Sequence, residues 1–88
     1  MTIESKYVLD NITMIHANPM RVRGWLDKLN LKGIDLYNFN GWLISYIKKY
    51  ATEPMLQQGK NIYIYTEKHR ITINKTSFIV ISIIERQS

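Results

Sequence analysis

The feature that most constrains this chain is a change of hydrophobic period near residue 55. Before it, apolar residues recur every three or four positions; after it, they alternate. The first spacing lines one face of a helix and the second lines one face of a strand, so a single segment cannot serve both. An α+β domain follows, with about three N-terminal helices packed on one face of a C-terminal four-stranded antiparallel β-meander. Residues 1–54 form the helical part and residues 55–88 the meander. Both belong to a single domain, because 88 residues leave no room for a second core of ordinary size.

The helical half has three segments. Over residues 4–16, Val8, Ile12 and Ile15 make one stripe that ends at His16. Asn18-Pro19 then supplies an N-cap followed by a proline at the first helical position, where its fixed φ suits a helix start. The second helix runs from Pro19 to about Asn30, with Gly33 suited to the left-handed turn past its end. A third begins near Asp35 or Asn38 and continues to about Ala51, carrying Leu36, Phe39, Leu43, Tyr46, Ile47 and Tyr50 on its apolar side. Thr52-Glu53-Pro54 separates the halves.

The strands are expected at 55–58, 61–66, 70–74 and 77–84, joined by short turns that favour antiparallel pairing. Register in the last hairpin decides which side chains share a face. A two-residue turn at Lys75-Thr76 sets Ile71 and Ile73 beside Phe78 and Val80. A longer turn with Ser77 bulged sets them beside Ile79, Ile81 and Ile83, and is preferred because it gathers five isoleucines on the buried face. The opposite face then carries Tyr63, Tyr65, Arg70, Thr72, Asn74, Phe78 and Val80.

Composition narrows function mainly by exclusion. There are no cysteines, which removes disulfide scaffolds, thiolate metal sites and cysteine nucleophiles. No glycine-rich phosphate loop, Ser-His-Asp spacing or metal-ligand cluster is present, so neither a cofactor nor a metal is expected. The N-terminus lacks the apolar core of a signal peptide, and the longest apolar run, Phe78–Ile81, is far shorter than the roughly 20 residues of a membrane helix. A cytoplasmic protein without a membrane partner is expected. The net charge of +5 favours an acidic partner such as nucleic acid, although it also serves solubility.

Three stretches resemble a family of small, uncharacterised bacterial proteins known only as a domain of unknown function. They are Asn11-Ile12-Thr13-Met14-Ile15-His16 leading to Val22 and Leu29-Asn30-Leu31, then Gly59-Lys60-Asn61 with Tyr63, and finally Ile71-Thr72-Ile73-Asn74 with Ser77-Phe78. The resemblance spans nearly the whole chain and implies a shared fold. It departs after the histidine, where Ala17, Asn18 and Pro19 stand in place of the family's threonines and glutamate. In architecture, helices followed by a meander that ends in an I-x-I-N hairpin also resemble the barnase–EndoU–colicin–RelE group of ribonuclease toxins. That resemblance implies basic, hydroxyl and histidine side chains on an open sheet face.

Metal-free RNA cleavage requires a base for the 2′-hydroxyl, an acid for the leaving oxygen and cations for the phosphate. His16, Lys60, Arg70 and Thr72 are the catalytic candidates. Tyr63 and Tyr65 offer stacking surfaces for bases, and Asn74, Arg21 and Arg23 complete the binding set. Each has a bland alternative: His16 as a helix-end cap, Lys60 as a turn lysine, Asn74 as closing its own turn, Arg21 and Arg23 as a solvated helix face. His69 reads as exposed loop. Two functions follow. One is an RNA-directed protein, a ribonuclease of the toxin kind or an RNA-binding module. The other is a phage- or mobile-element-encoded inhibitor that docks on a nuclease or defence enzyme, its protein partner (or a second copy) held through the open sheet face. Exposed Phe78 and Val80 would favour the protein partner, and a cleft joining Lys60, Arg70 and His16 would favour RNA.

Overall fold

The change of period at residue 55 is also the boundary between helices and strands. A computed structural model of the chain describes residues 2–3, 5–31, 33–51 and 55–86; the expected Thr52–Pro54 separator lies outside the described residues. The elements in order are β1 (Thr2–Ile3), α1 (Ser5–Asp10), a 3-10 turn (Ile12–Met14), α2 (Pro19–Lys28), α3 (Phe39–Tyr50), β2 (Met55–Gln58), β3 (Asn61–Tyr65), β4 (His69–Asn74) and β5 (Val80–Glu85). The four C-terminal strands form the antiparallel meander, and the two-residue β1 adds itself to the outer edge of β2, giving the order β1-β2-β3-β4-β5. Among the described residues no helix is long and apolar enough to cross a membrane.

The N-terminal stripe is buried as expected, but not on one helix. Val8, Ile12 and Ile15 all enter the core, while the helix stops at Asp10 and resumes only as a 3-10 turn. Asn11 turns its side-chain amide back onto the Tyr7 carbonyl, 2.8 Å away, satisfying a terminal acceptor of α1. His16 is therefore not a helix end but lies in an extended segment. In α2 the Asn18 side chain accepts from the Met20 amide at 2.9 Å, with Pro19 at the first helical position. Its other end is closed by Asn30 (φ 55°) rather than Gly33: Leu31 N–H donates to the Leu26 carbonyl and Asn30 N–H to that of Asp27. This pair of bonds is the Schellman arrangement, for which Asn is a tolerated substitute for Gly.

Helix α3 lays Phe39, Leu43 and Ile47 onto the sheet, where they meet Met55, Ile62, Ile64, Ile71, Ile73 and Ile83 in one core. The last hairpin departs from the preferred register. Ile71, Ile73 and Ile83 are buried, but Ile79 is 37% exposed and Ile81 only half-buried, whereas Phe78 and Val80 are each 2% exposed. The extra residue is at Ile81 and not at Ser77: Val80 pairs with Ile73, Ser82 with Thr72 and Ile83 with Ile71. A bulge there reverses the phase of β5, so that Val80 and Ile83, an odd number of positions apart, both point inward. The turn that makes this possible is built by Asn74, whose side-chain oxygen accepts from the amides of Thr76 and Ser77 at 2.8 and 2.9 Å. Phe78 then adopts φ 60°, which swings its ring inward to lie 5.8 Å from that of Tyr7.

The outer edge of β5 is covered at its start. His16 donates its amide to the Phe78 carbonyl and accepts from the Val80 amide, and the Arg21 guanidinium donates to the Ile81 carbonyl at 2.7 Å. These contacts occupy groups that would otherwise template pairing with another chain.

Candidate nucleic-acid interface

Strand alternation sends one set of side chains into the core and the other set to the opposite face of the sheet. Cross-strand register arranges that second set in rows. Leu56, Tyr63, Thr72 and Ser82 form one, and Tyr65, Arg70 and Ile84 the next. The Arg70 guanidinium lies over the Tyr63 ring, 5.3 Å from its centroid, and Arg86 lies over Tyr65 at 5.2 Å. Arg86 also donates to the Thr66 carbonyl at 2.8 Å, which fixes it at the end of the sheet. Beside these stacks is a shallow hollow of about 300 Å³ lined by Leu56, Gln57, Gln58, Tyr63, Tyr65 and Arg70. The Arg70 Nε is buried without a hydrogen-bond partner among the described residues. That atom is out of a ligand's reach, so contact with an anion would fall to the terminal nitrogens of the guanidinium.

The sequence-derived candidates divide into groups. Tyr63, Tyr65, Arg70 and Thr72 share this face, but Thr72 is 4% exposed, so its hydroxyl is withdrawn from any ligand. Asn74 is committed to the turn it closes. Lys60 is exposed in the β2–β3 turn beyond Asn61, the partner of Asn74. Four positions along β4 separate Asn74 from Arg70, roughly 13 Å at strand rise. His16 lies outside β5 with its Nδ1 2.8 Å from the Met14 carbonyl, Arg21 is tied to β5, and Arg23 is exposed on α2. The structure thus unites Tyr63, Tyr65 and Arg70 and leaves His16, Lys60, Arg21 and Arg23 apart from them. Phe78 and Val80, being buried, contribute nothing to the face.

A second polar cluster sits at the end of the sheet under α3. The Tyr46 hydroxyl is 2.8 Å from both Thr66 Oγ1 and His69 Nδ1, and Thr66 Oγ1 accepts from the His69 amide at 3.0 Å. The Tyr46 ring stacks on Trp42 at 5.1 Å and meets the His69 ring edge-on. Burial holds the His69 imidazole below its usual range. Glu85, its cross-strand partner, opposes that shift and Lys68 adds to it. His69 is therefore not an exposed loop residue. The signal was present in the alternation itself: Thr66 continues the inward parity of Ile62 and Ile64, and His69 that of Ile71 and Ile73.

No protein-family model, curated protein or solved structure matches the chain.

Proposed function

We propose that the open face of the sheet binds single-stranded RNA, and that it does so by stacking and charge without cleaving the strand. The observation that carries this reading is the pair of cation-on-ring stacks, Arg70 on Tyr63 and Arg86 on Tyr65, on the sheet face that carries the hollow beside them. Tyr63 and Tyr65 are two residues apart on β3, so their rings repeat at roughly 7 Å along the strand. An unstacked single strand can follow that step, placing bases on rings and phosphates on guanidinium groups. The net charge of +5 supports the same partner through long-range attraction.

The placement of His16 and Lys60 away from Arg70, together with the burial of Thr72, favours binding over catalysis. The burial of Phe78 and Val80 takes those two residues out of the apolar patch that would favour a protein partner, and leaves Leu56 and Ile84 as the exposed aliphatic residues of the face. Amide-shift mapping with a short oligouridine tests the reading. The largest shifts are expected in residues 61–65 and 69–72 of β3 and β4. Shifts confined to α2 or to the N-terminal segment would overturn it.

A further inference from the structure

The chain leaves the open face at Tyr65 and turns back through Thr66, Glu67 and Lys68. This turn is held firmly. Thr66 is fully buried, its amide donates to the His69 carbonyl at 2.9 Å, and its hydroxyl meets that of Tyr46. The Tyr46 ring stacks on Trp42 and meets Tyr50, 5.3 Å away, at a tilt. Between α3 and the turn is a cavity of about 330 Å³ lined by Tyr46, Tyr50, Glu67 and Lys68. Among the described residues neither Glu67 nor Lys68 has an ion-pair partner, and both are exposed at the mouth. The lining is thus two tyrosines, one carboxylate and one ammonium, and the Lys49 ammonium lies over the Tyr50 ring, 5.4 Å from its centroid.

We infer that this cavity is a guanine-recognition pocket, in which a base enters between α3 and the turn, Glu67 reads its edge and Lys68 holds its phosphate. A carboxylate is acceptor-only and presents two oxygens side by side. Guanine alone of the four RNA bases offers two adjacent donors, N1–H and the N2 amine, on its Watson–Crick edge. Adenine and cytosine set a ring acceptor beside their amine, and uracil flanks its single N–H with carbonyls, so each would leave a carboxylate oxygen facing a lone pair. The ammonium of Lys68 serves any nucleotide phosphate alike and adds affinity without selectivity. Arg86 joins this pocket to the open face, because its amide donates to the Lys68 carbonyl while its guanidinium lies on Tyr65. The inference extends the RNA-binding reading by giving the bound strand a base-selective end.

The test uses the full chain and four mononucleotides, 5′-GMP, 5′-AMP, 5′-CMP and 5′-UMP, with the amide signals of residues 66–69 as readout. An isolated oligouridine titration is run in parallel. GMP is expected to bind at least about tenfold more tightly than the others, as a bidentate base contact provides. Glu67→Gln should abolish that preference, and Lys68→Ala should weaken all four alike. Both positions are exposed, so both variants keep the fold. Equal responses to the four nucleotides, or none at residues 66–69, overturn the pocket. Guanine preference that survives Glu67→Gln overturns the assigned contact. GMP binding without oligouridine binding sustains the pocket and overturns the open face, and the converse overturns the pocket alone.

Discussion

Replacing Phe78 by glycine should destabilise the protein less than replacing it by alanine, the reverse of the usual order. Phe78 is 2% exposed and packs on Tyr7, so either truncation removes a buried aromatic side chain. Burial of about 150–250 Å² at about 25 cal/mol per Å² corresponds to about 4–6 kcal/mol, close to the 3–5 kcal/mol typical of Phe→Ala in cores. The two variants differ in backbone. At φ 60° a residue with a Cβ carries about 1–2 kcal/mol of steric cost that glycine lacks. Glycine in turn loses about 0.4–1 kcal/mol more chain entropy on folding. The balance leaves Phe78→Gly more stable than Phe78→Ala by roughly 0.5–1 kcal/mol. The conformation is imposed by its neighbours: the Phe78 amide donates to the Asn74 carbonyl at 3.0 Å and its carbonyl accepts from His16. Urea unfolding followed by tryptophan emission measures the difference, provided the slope with denaturant is unchanged between variants. An alanine variant as stable as the glycine one, or a cost below about 1 kcal/mol for either, would refute the reasoning, since it would place Phe78 outside the core or outside the left-handed region.

Two further outcomes follow from the same geometry. Val80→Ala should cost about 1.5–3 kcal/mol, more than Ile81→Ala, although the second removes more atoms, because Val80 is fully buried opposite Ile73 and Ile81 sits on the bulge; paired urea melts give the order, and the opposite ranking would restore the longer-turn register. Because the folded imidazole of His69 is held below its ordinary value of 6.5, the native state binds a proton less readily than the unfolded chain. Its contribution to stability is complete above about pH 6.5 and declines as pH falls from there toward the lowered folded value. Thermal melts between about pH 7.5 and 5.5 should show a falling midpoint that His69→Gln flattens; identical slopes in the two proteins would contradict the assignment.

Much of the fold was legible because periodicity is a local signal that the core only had to accept. The helix start at Asn18-Pro19, the apolar side of α3 and the inward isoleucines of β3 and β4 follow from spacing alone. What escaped the sequence was set by contacts across the chain. The break after Asp10 and the extended course of His16 are stabilised by β5, some sixty residues away, whose own register depends on the Asn74 turn and the Phe78 backbone. Hydrophobic count favoured five isoleucines on one face, but it could not detect a bulge at Ile81 that lets Phe78, Val80 and Ile83 all point inward. The candidate site was legible in part for the same reason. Tyr63, Tyr65 and Arg70 follow strand parity and meet as expected, whereas bringing His16 or Lys60 to them would have required tertiary placement that no spacing specifies. His69 reads as loop in the sequence because charged neighbours, Glu67, Lys68 and Arg70, obscure its inward parity.

The central claim is that the open face binds single-stranded RNA through Arg70 and its tyrosine neighbours. A titration of labelled oligouridine into the wild-type protein and Arg70→Ala, at low and at near-physiological salt, tests it most directly. Phosphate contacts release counterions, so the wild-type affinity should fall steeply as salt rises. Arg70→Ala should bind more weakly at low salt, and its dependence on salt should be shallower by about one in the logarithmic slope. Absence of binding at low salt, or an Arg70→Ala isotherm that coincides with the wild type at both concentrations, would contradict the account.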